Sequence, residues 1–186
     1  MKTVAIIPAR RGSVRIPCKN WRPFHGKPII QYSIEVAQRS RLFDHIIVST
    51  DGDEIASVAK SAGAWVYRRA EDCGERGTQA VAAEVLSQVA DVSVACVIYP
   101  TAPMLTEHDL WAGFSSMGGG YAVASKYGSC LDIGWMYWGP AYAFGAVPLM
   151  PAFMTLVPIG MDRAIDINTP EDWAKAEQMY AKWRGL

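Results

Sequence analysis

The chain has 186 residues, half of them apolar and 19% charged, which suits one soluble globular domain spanning residues 1–186 around a substantial core. Eighteen basic residues balance eighteen acidic ones, and that neutrality argues against broad electrostatic binding to nucleic acid or to a membrane surface. No apolar segment is long enough for a signal peptide or a membrane span, and Cys18, Cys73, Cys96 and Cys130 form no Cys-x-x-Cys pair; they read as free thiols in a reducing cytoplasm, not as a zinc site or disulfide frame.

The apolar run at residues 3–7 reads as a first β-strand. The stretch that follows, residues 8–20, carries Arg10, Arg11, Arg15 and Lys19 and no acid. Gly12 and Ser13 sit among these cations. Glycine lets a backbone approach an anion closely, and free N–H groups there can cradle it. Arginines can grip phosphate oxygens bidentately, and Lys19 adds a compact charge. Pro8 and Pro17 stiffen the loop. Neither the dinucleotide fingerprint nor the P-loop pattern is present. A cation run also reads as a solvated surface loop, but this one follows a strand, where open α/β sheets bind ligands.

Further along, Pro28 is placed like a first-turn proline, and Ile30, Ile34 and Ala37 have helical spacing. Residues 45–50 read as a β-branched strand. Asp51 is expected to cap a helix over about 53–62 that Gly63 stops. Residues 64–67 read as a strand with Arg68 and Arg69 after it, and 78–90 as a helix. The run 92–99 reads as a central parallel strand, ended by Pro100 and Pro103. Thr106 caps another helix with Asp109 in its first turn. Strands at 121–125 and 132–139 follow, the second aromatic. Asp132 at its start reads either as a turn residue or as a ligand contact. Finally, Thr169-Pro170-Glu171-Asp172 is a strong helix start. Just before it, Asp166 and Asn168 alternate around Ile167, so an extended backbone points both to one face. Hard oxygen donors beside a polyphosphate suit Mg²⁺; the other reading is that Asp166 only satisfies backbone amides. Strands alternating with helices predict an α/β fold, a mostly parallel sheet with helices on both faces.

Ile-Ile-Pro-Ala-Arg-Arg-Gly-Ser-Val-Arg-Ile-Pro-Cys-Lys-Asn resembles the N-terminal signature of the cytidylyltransferases that activate acidic nonulosonate sugars. These are the CMP-N-acetylneuraminic acid synthetases and their pseudaminic acid counterparts. Their pattern has Gly where Arg11 stands, Lys where Val14 stands, and Gly or a basic residue where Cys18 stands; Arg11 is expected to replace the missing lysine's charge. Tyr99-Pro100-Thr101-Ala102-Pro103 and Asp132-Ile133-Gly134-Trp135-Met136-Tyr137-Trp138-Gly139 follow the pseudaminic acid form, with Trp135 where that form has Gln. Asp166-Ile167-Asn168-Thr169-Pro170-Glu171-Asp172 differs from the family's metal motif in having Asn168 for the second acid. A segment that the family inserts after residue 125 is reduced here to residues 126–131.

The resemblance implies a Rossmann-like nucleotidyltransferase fold. It implies CMP transfer from CTP to a nonulosonic acid with release of pyrophosphate, in a Mg²⁺-dependent cytoplasmic enzyme and possible homodimer. It assigns Arg10, Arg11 and Arg15 to the β- and γ-phosphates and Lys19 to the α-phosphate. Ala9, Gly12, Ser13, Asn20, Arg69, Thr78, Pro100 and Thr101 complete the nucleotide site, with Glu71 keeping an acidic position after Arg69. Tyr99, Asp132 and Tyr137 fall to the sugar, and Asp166 with Asn168 to the metal. The alternatives are a cytidylyltransferase for another acid sugar or a polyol phosphate, and a nucleotide-binding homologue without chemistry.

Overall fold

The computed structural model describes residues 1–69, 77–118, 120–145 and 154–186. Glu71 and Cys73 lie outside these residues. The fold is built around β1 (Lys2–Pro8), whose Val4, Ala5, Ile6 and Ile7 are fully buried. Because side chains alternate along a strand, Val4 and Ile6 enter one core and Ala5 and Ile7 the other. That is the signature of a strand covered on both faces.

β1 pairs in parallel with β4 (His45–Thr50) on one side and β6 (Val92–Ile98) on the other. β5 (Trp65–Arg68) adds to β4, also in parallel. Beyond β6 the sheet changes character. β8 (Asp132–Pro140) runs antiparallel to both β6 and β7 (Tyr121–Lys126), and β9 (Met154–Ile159) pairs in parallel with β7. The order is β5-β4-β1-β6-β8-β7-β9. A two-stranded hairpin, β2 (Pro23–Phe24) with β3 (Lys27–Pro28), stands apart.

α1 (Ile29–Ser40), α2 (Asp53–Ser61), α4 (Glu107–Ser116) and α5 (Pro170–Arg184) bury residues in the larger core. α3 (Gly77–Leu86) and a 3₁₀ turn, Ala141–Phe144, cover the opposite face through Ala82, Val85 and Phe144. Thr106 and Thr169 both form capping boxes, with Asp109 and Asp172 returning the hydrogen bond, and Pro170 takes a first-turn position. Asp109 also holds Arg163 through both carboxylate oxygens, a largely buried pair that ties the segment before α5 to α4.

Several local expectations change. Gly52, not Asp51, is the N-cap of α2, with no side-chain capping bond; Asp51 instead accepts the Arg11 backbone N–H at 2.7 Å. Pro28 is itself the N-cap of α1, because the tight β2–β3 turn, with His25 and Gly26 at positive φ, consumes the preceding residues. α3 ends at Leu86, four residues early, in a series of turns that lead to Asp91 at φ +62°. The central strand β6 is parallel on one side only.

Candidate active site

Because β1, β4, β5 and β6 are parallel, their carboxyl ends meet along one edge, and the antiparallel β8 begins there. The loop after β1 crosses this edge and walls a cleft of about 330 Å³. Arg10, Ser13, Arg15, Lys19 and Asn20 come to the cleft from that loop, Arg69 from the end of β5, and Thr78 from α3. Tyr99, Pro100 and Thr101 come from the end of β6, and Asn168 from the turn before α5. Five segments of chain thus converge on one polar, concave site, as expected at a sheet's carboxyl edge.

The basic loop holds its own shape. Asn20 is buried and donates its side-chain amide to the Arg10 carbonyl at 2.9 Å, closing the loop on itself. Cys18 sits at φ +58°, and its carbonyl accepts from Trp21 and Arg22. That conformation is natural for glycine and strained for cysteine, which explains physically why a glycine suits this position. Ala9 is fully buried and extends the β1–β4 pairing through its N–H to Ser49.

Arg11 does not join the cleft lining. Its side chain is two-thirds exposed and lies 3.6 Å from Glu54 of α2. It packs over Gly52, where a Cβ would come within 3.0 Å of it. The missing lysine charge is therefore not replaced by Arg11. Val14 lines the cleft mouth in its place, 93% exposed. Gly12 is exposed and likewise outside the lining.

Arg69 is the most informative side chain. It is 4% exposed, and its Nε and one terminal nitrogen have no hydrogen-bond partner. Asp51 lies 3.8 Å away, too far for a hydrogen bond. A buried guanidinium with unmet donors is costly in a folded protein. Arg69 also lines the cleft, so a shift of its side chain would bring these donors to a ligand.

At the other end, Tyr99 joins the cleft to a polar cluster on β8. The Tyr99 hydroxyl shares a hydrogen bond with Thr78 at 3.1 Å, and its ring lies 5.6 Å from that of Tyr137. Tyr137 donates to Asp132 at 2.5 Å, and the other Asp132 oxygen accepts from the Gly134 N–H. Burial pushes the Tyr137 phenol up, and Tyr99 and Asp132 reinforce the shift, so Tyr137 stays a neutral donor. Gly134 has φ +60°, and a Cβ there would come 3.3 Å from the Tyr99 ring. Only glycine meets both conditions without strain.

Asp166 and Asn168 do face the same side, with Ile167 fully buried between them. The Asn168 amide nitrogen donates to Asp166 at 2.5 Å, and its oxygen accepts from Arg15 at 3.2 Å. Lys19 Nζ donates to the Ile167 carbonyl at 2.9 Å. Partial desolvation by the surrounding protein raises the Asp166 carboxyl above its usual range, opposed by Asn168 and Lys19. Burial lowers the Lys19 ammonium, against the pull of Asp166. Trp135, fully buried, donates its indole N–H to the Ile165 carbonyl at 2.9 Å. Among the described residues no group of three or more His, Cys, Asp or Glu could hold a metal ion. One carboxylate and one carboxamide cannot close a hard-cation site, but they fit a cation that completes its shell with phosphate oxygens and water.

The model of the family described as cytidylyltransferase matches residues 4–117. The chain belongs to the cytidylyltransferase family. A pseudaminic acid cytidylyltransferase of Campylobacter jejuni subsp. jejuni serotype O:23/36 is 44% identical over 117 residues, 59% of this chain and 50% of that protein. A CMP-N,N'-diacetyllegionaminic acid synthase of Legionella pneumophila is 48% identical over 73 residues, 39% of this chain and 32% of that protein. The chain thus spans half or less of these relatives' lengths. Among solved structures, a CMP:2-keto-3-deoxy-manno-octonic acid synthetase complexed with CTP aligns with TM-score 0.78 at 16% identity, over 98% of this chain and 100% of that one. A Mycobacterium tuberculosis H37Rv protein in complex with manganese aligns with TM-score 0.70 at 16% identity, over 96% of this chain and 99% of that one. At such identities these two similarities establish the nucleotidyltransferase fold alone.

Val14 is the cleft residue that the reading of the sequence left without a role, along with Pro8, Gly77 and Val81. The sequence signals for Val14 were its position inside the basic loop and the lysine that the resembling family has there. Asp132, Tyr137 and Asp166 stand beside the cleft, joined to it through Tyr99 and Asn168. Among the described residues no helix is long and apolar enough to cross a membrane.

Proposed function

We propose that the protein transfers CMP from CTP to the anomeric hydroxyl of a nonulosonic acid, releasing pyrophosphate, as a single domain. The observation that carries this reading is the cleft itself, which gathers Arg10, Arg15 and Lys19 with Arg69, two of whose guanidinium nitrogens lack a hydrogen-bond partner. The basic loop suits the triphosphate, and Arg69 the cytosine or ribose, of one nucleotide. The names of the relatives support a nonulosonic acid as acceptor.

In this reading the sugar hydroxyl attacks the α-phosphorus in line, and the bond to the bridging oxygen breaks. Negative charge grows on the phosphoryl oxygens and the departing pyrophosphate. Arg10 and Arg15 neutralise the β- and γ-phosphates, and Lys19 stands where the α-phosphate would lie; one positioned charge of this kind contributes about 3 kcal/mol to lowering the barrier. Asp166 and Asn168 would hold Mg²⁺, which supplies charge neutralisation and a more acidic hydroxyl when bound. Asn20 shapes the loop through Arg10. Tyr99, Tyr137 and Asp132 would orient the sugar through hydrogen bonds to its hydroxyl or amide groups.

Pyrophosphate release with CTP and Mg²⁺, across pseudaminic, legionaminic and N-acetylneuraminic acids, tests the reaction. Release with one sugar that Asp166→Ala abolishes is the expected result. CTP binding without release from any of the three would sink the catalytic reading. It would favour a nucleotide-binding homologue.

A further inference from the structure

The Arg15–Asn168–Asp166 chain has a consequence for how a cation enters. It rests on the nucleotide reading of the cleft. A carboxylate only accepts hydrogen bonds, and a guanidinium only donates them. A carboxamide between the two has one orientation that satisfies both, nitrogen toward Asp166 and oxygen toward Arg15. That is the orientation found. Turning the amide over would set its oxygen against the carboxylate and its N–H₂ against the guanidinium. The amide is therefore pinned from both sides while Arg15 stays in place.

Pinned in this way, Asn168 turns a donor, not an oxygen ligand, toward Asp166. The amide proton occupies one of the two Asp166 carboxylate oxygens, Oδ2. The surrounding charges add to the barrier. Lys19 is bound to the Ile167 carbonyl beside Asp166, and Arg10 and Arg15 stand in the same cleft. Asp172, the next carboxylate, is committed to the backbone N–H groups of Asn168 and Thr169. Asp132 is committed to Tyr137 and Gly134.

We propose that Asn168 is a latch that makes capture of a divalent cation conditional on the nucleotide. Its amide closes Asp166 in the free protein and is released when a polyphosphate draws Arg15 away. Arg15 is an exposed side chain lining the cleft, so phosphate oxygens compete directly for it. Once Arg15 leaves, the amide is held from one side only, and a cation arriving at Asp166 offsets the repulsion of the turned oxygen. An aspartate at this position would instead present two carboxylates and attract a cation with no nucleotide present.

Mn²⁺ alone, titrated into the full chain and followed by the electron paramagnetic resonance of the free ion, separates the two cases. Asn168→Asp is expected to bind Mn²⁺ at least about tenfold more tightly than the unaltered protein. Equal affinity would overturn the latch, and a gain of binding is not a result that structural damage produces. A second measurement needs no variant. The side-chain amide resonance of Asn168 in ¹⁵N-asparagine-labelled protein is expected to hold still on Mg²⁺ alone and to move on CTP with Mg²⁺. The same movement on Mg²⁺ alone would overturn the proposal. CTP affinity without metal, measured by calorimetry, stands apart from both: its absence would remove the nucleotide reading itself, and the latch with it.

Discussion

Replacing Arg69 with methionine separates a ligand-binding arginine from a structural one. The substitution keeps much of the volume and removes a guanidinium that is 4% exposed with two unpaired nitrogens. Two stability effects oppose each other. Asp51 loses a partner 3.8 Å away but keeps the Arg11 backbone N–H. In exchange, two buried donors cease to be unsatisfied, each worth about 1–3 kcal/mol. A loose buried ion pair replaced by an apolar side chain is often neutral or stabilising. The melting temperature is therefore expected to stay within about 4 °C of the unaltered protein, where about 1 kcal/mol corresponds to about 2–4 °C at this chain length. Nucleotide affinity behaves differently. A charge-assisted hydrogen bond contributes about 1.5–3 kcal/mol, so CTP is expected to bind about 10- to 150-fold more weakly. Calorimetric titration with CTP, alongside a thermal melt, reads both quantities from one preparation. A melt lowered by ten degrees or so with CTP affinity intact would refute the reasoning and make Arg69 a core residue.

Other substitutions test the frame around the cleft. Gly134→Ala puts a Cβ at φ +60°, 3.3 Å from the Tyr99 ring. It is expected to cost about 1–2 kcal/mol in denaturant unfolding, and CTP binding should weaken with it because Tyr99 lines the cleft; an unchanged midpoint would contradict the geometry. Trp135→Phe leaves the buried Ile165 carbonyl without its donor and should cost about 1–3 kcal/mol in the same measurement, with the Mg²⁺ needed for half-maximal pyrophosphate release rising as well. In Glu35, burial raises the carboxyl, but hydrogen bonds from Lys27 and Gln31 outweigh it and hold the pKa below the usual range. A carboxylate depressed on folding stabilises above its unfolded pKa of about 4.3 and loses that contribution as pH falls through the folded value. Glu35→Gln should accordingly lower the melting temperature at pH 7 and flatten its decline below about pH 4.3, and an acid limb of unchanged slope would assign the acid sensitivity elsewhere.

The parts of the fold with strong local signals were legible. β1, β4 and β6 announce themselves as apolar β-branched runs, and both capping boxes follow from Thr106 with Asp109 and Thr169 with Asp172. β9 was not legible: its Met-Thr-Leu-Val-Pro-Ile has no clean alternation, and Pro158 argues against a strand except at an edge, where β9 in fact lies. The β2–β3 hairpin is two residues a side and carries no periodicity. The antiparallel placement of β8 is a tertiary choice that its aromatic sequence does not encode.

The site was legible where a side chain's direction follows from strand period, as with Asp166 and Asn168 flanking the buried Ile167. It was not legible where direction depends on a loop. Arg10 and Arg11 are adjacent cations, yet one lines the cleft and the other lies over Gly52 toward Glu54. What separates them is the Arg11 backbone N–H bound to Asp51, a contact across forty residues. The expectation that Asp51 caps α2 concealed it, since a cap and a loop tether ask for the same residue type.

Trp135 shows how a departure from a pattern can be misweighed. In the sequence it stands where a polar residue is expected, and it counts toward lost chemistry. In the structure its ring is core, and its indole N–H holds the Ile165 carbonyl. Lys19 holds the Ile167 carbonyl, and Asp172 holds the Asn168 N–H. The segment that carries Asp166 is neither helix nor strand, yet three backbone positions within four residues, at Ile165, Ile167 and Asn168, are anchored by β8, by the basic loop and by α5. A loop that merely linked β9 to α5 would need none of these restraints, because surface connections tolerate mobility. A pair of oxygen donors that must meet a cation and a triphosphate together needs all of them, because ligand geometry is set by the groups behind the ligands. The fixed frame therefore weighs toward the proposed enzyme, in which Asn168 would tune the cation, against a binder whose site has decayed.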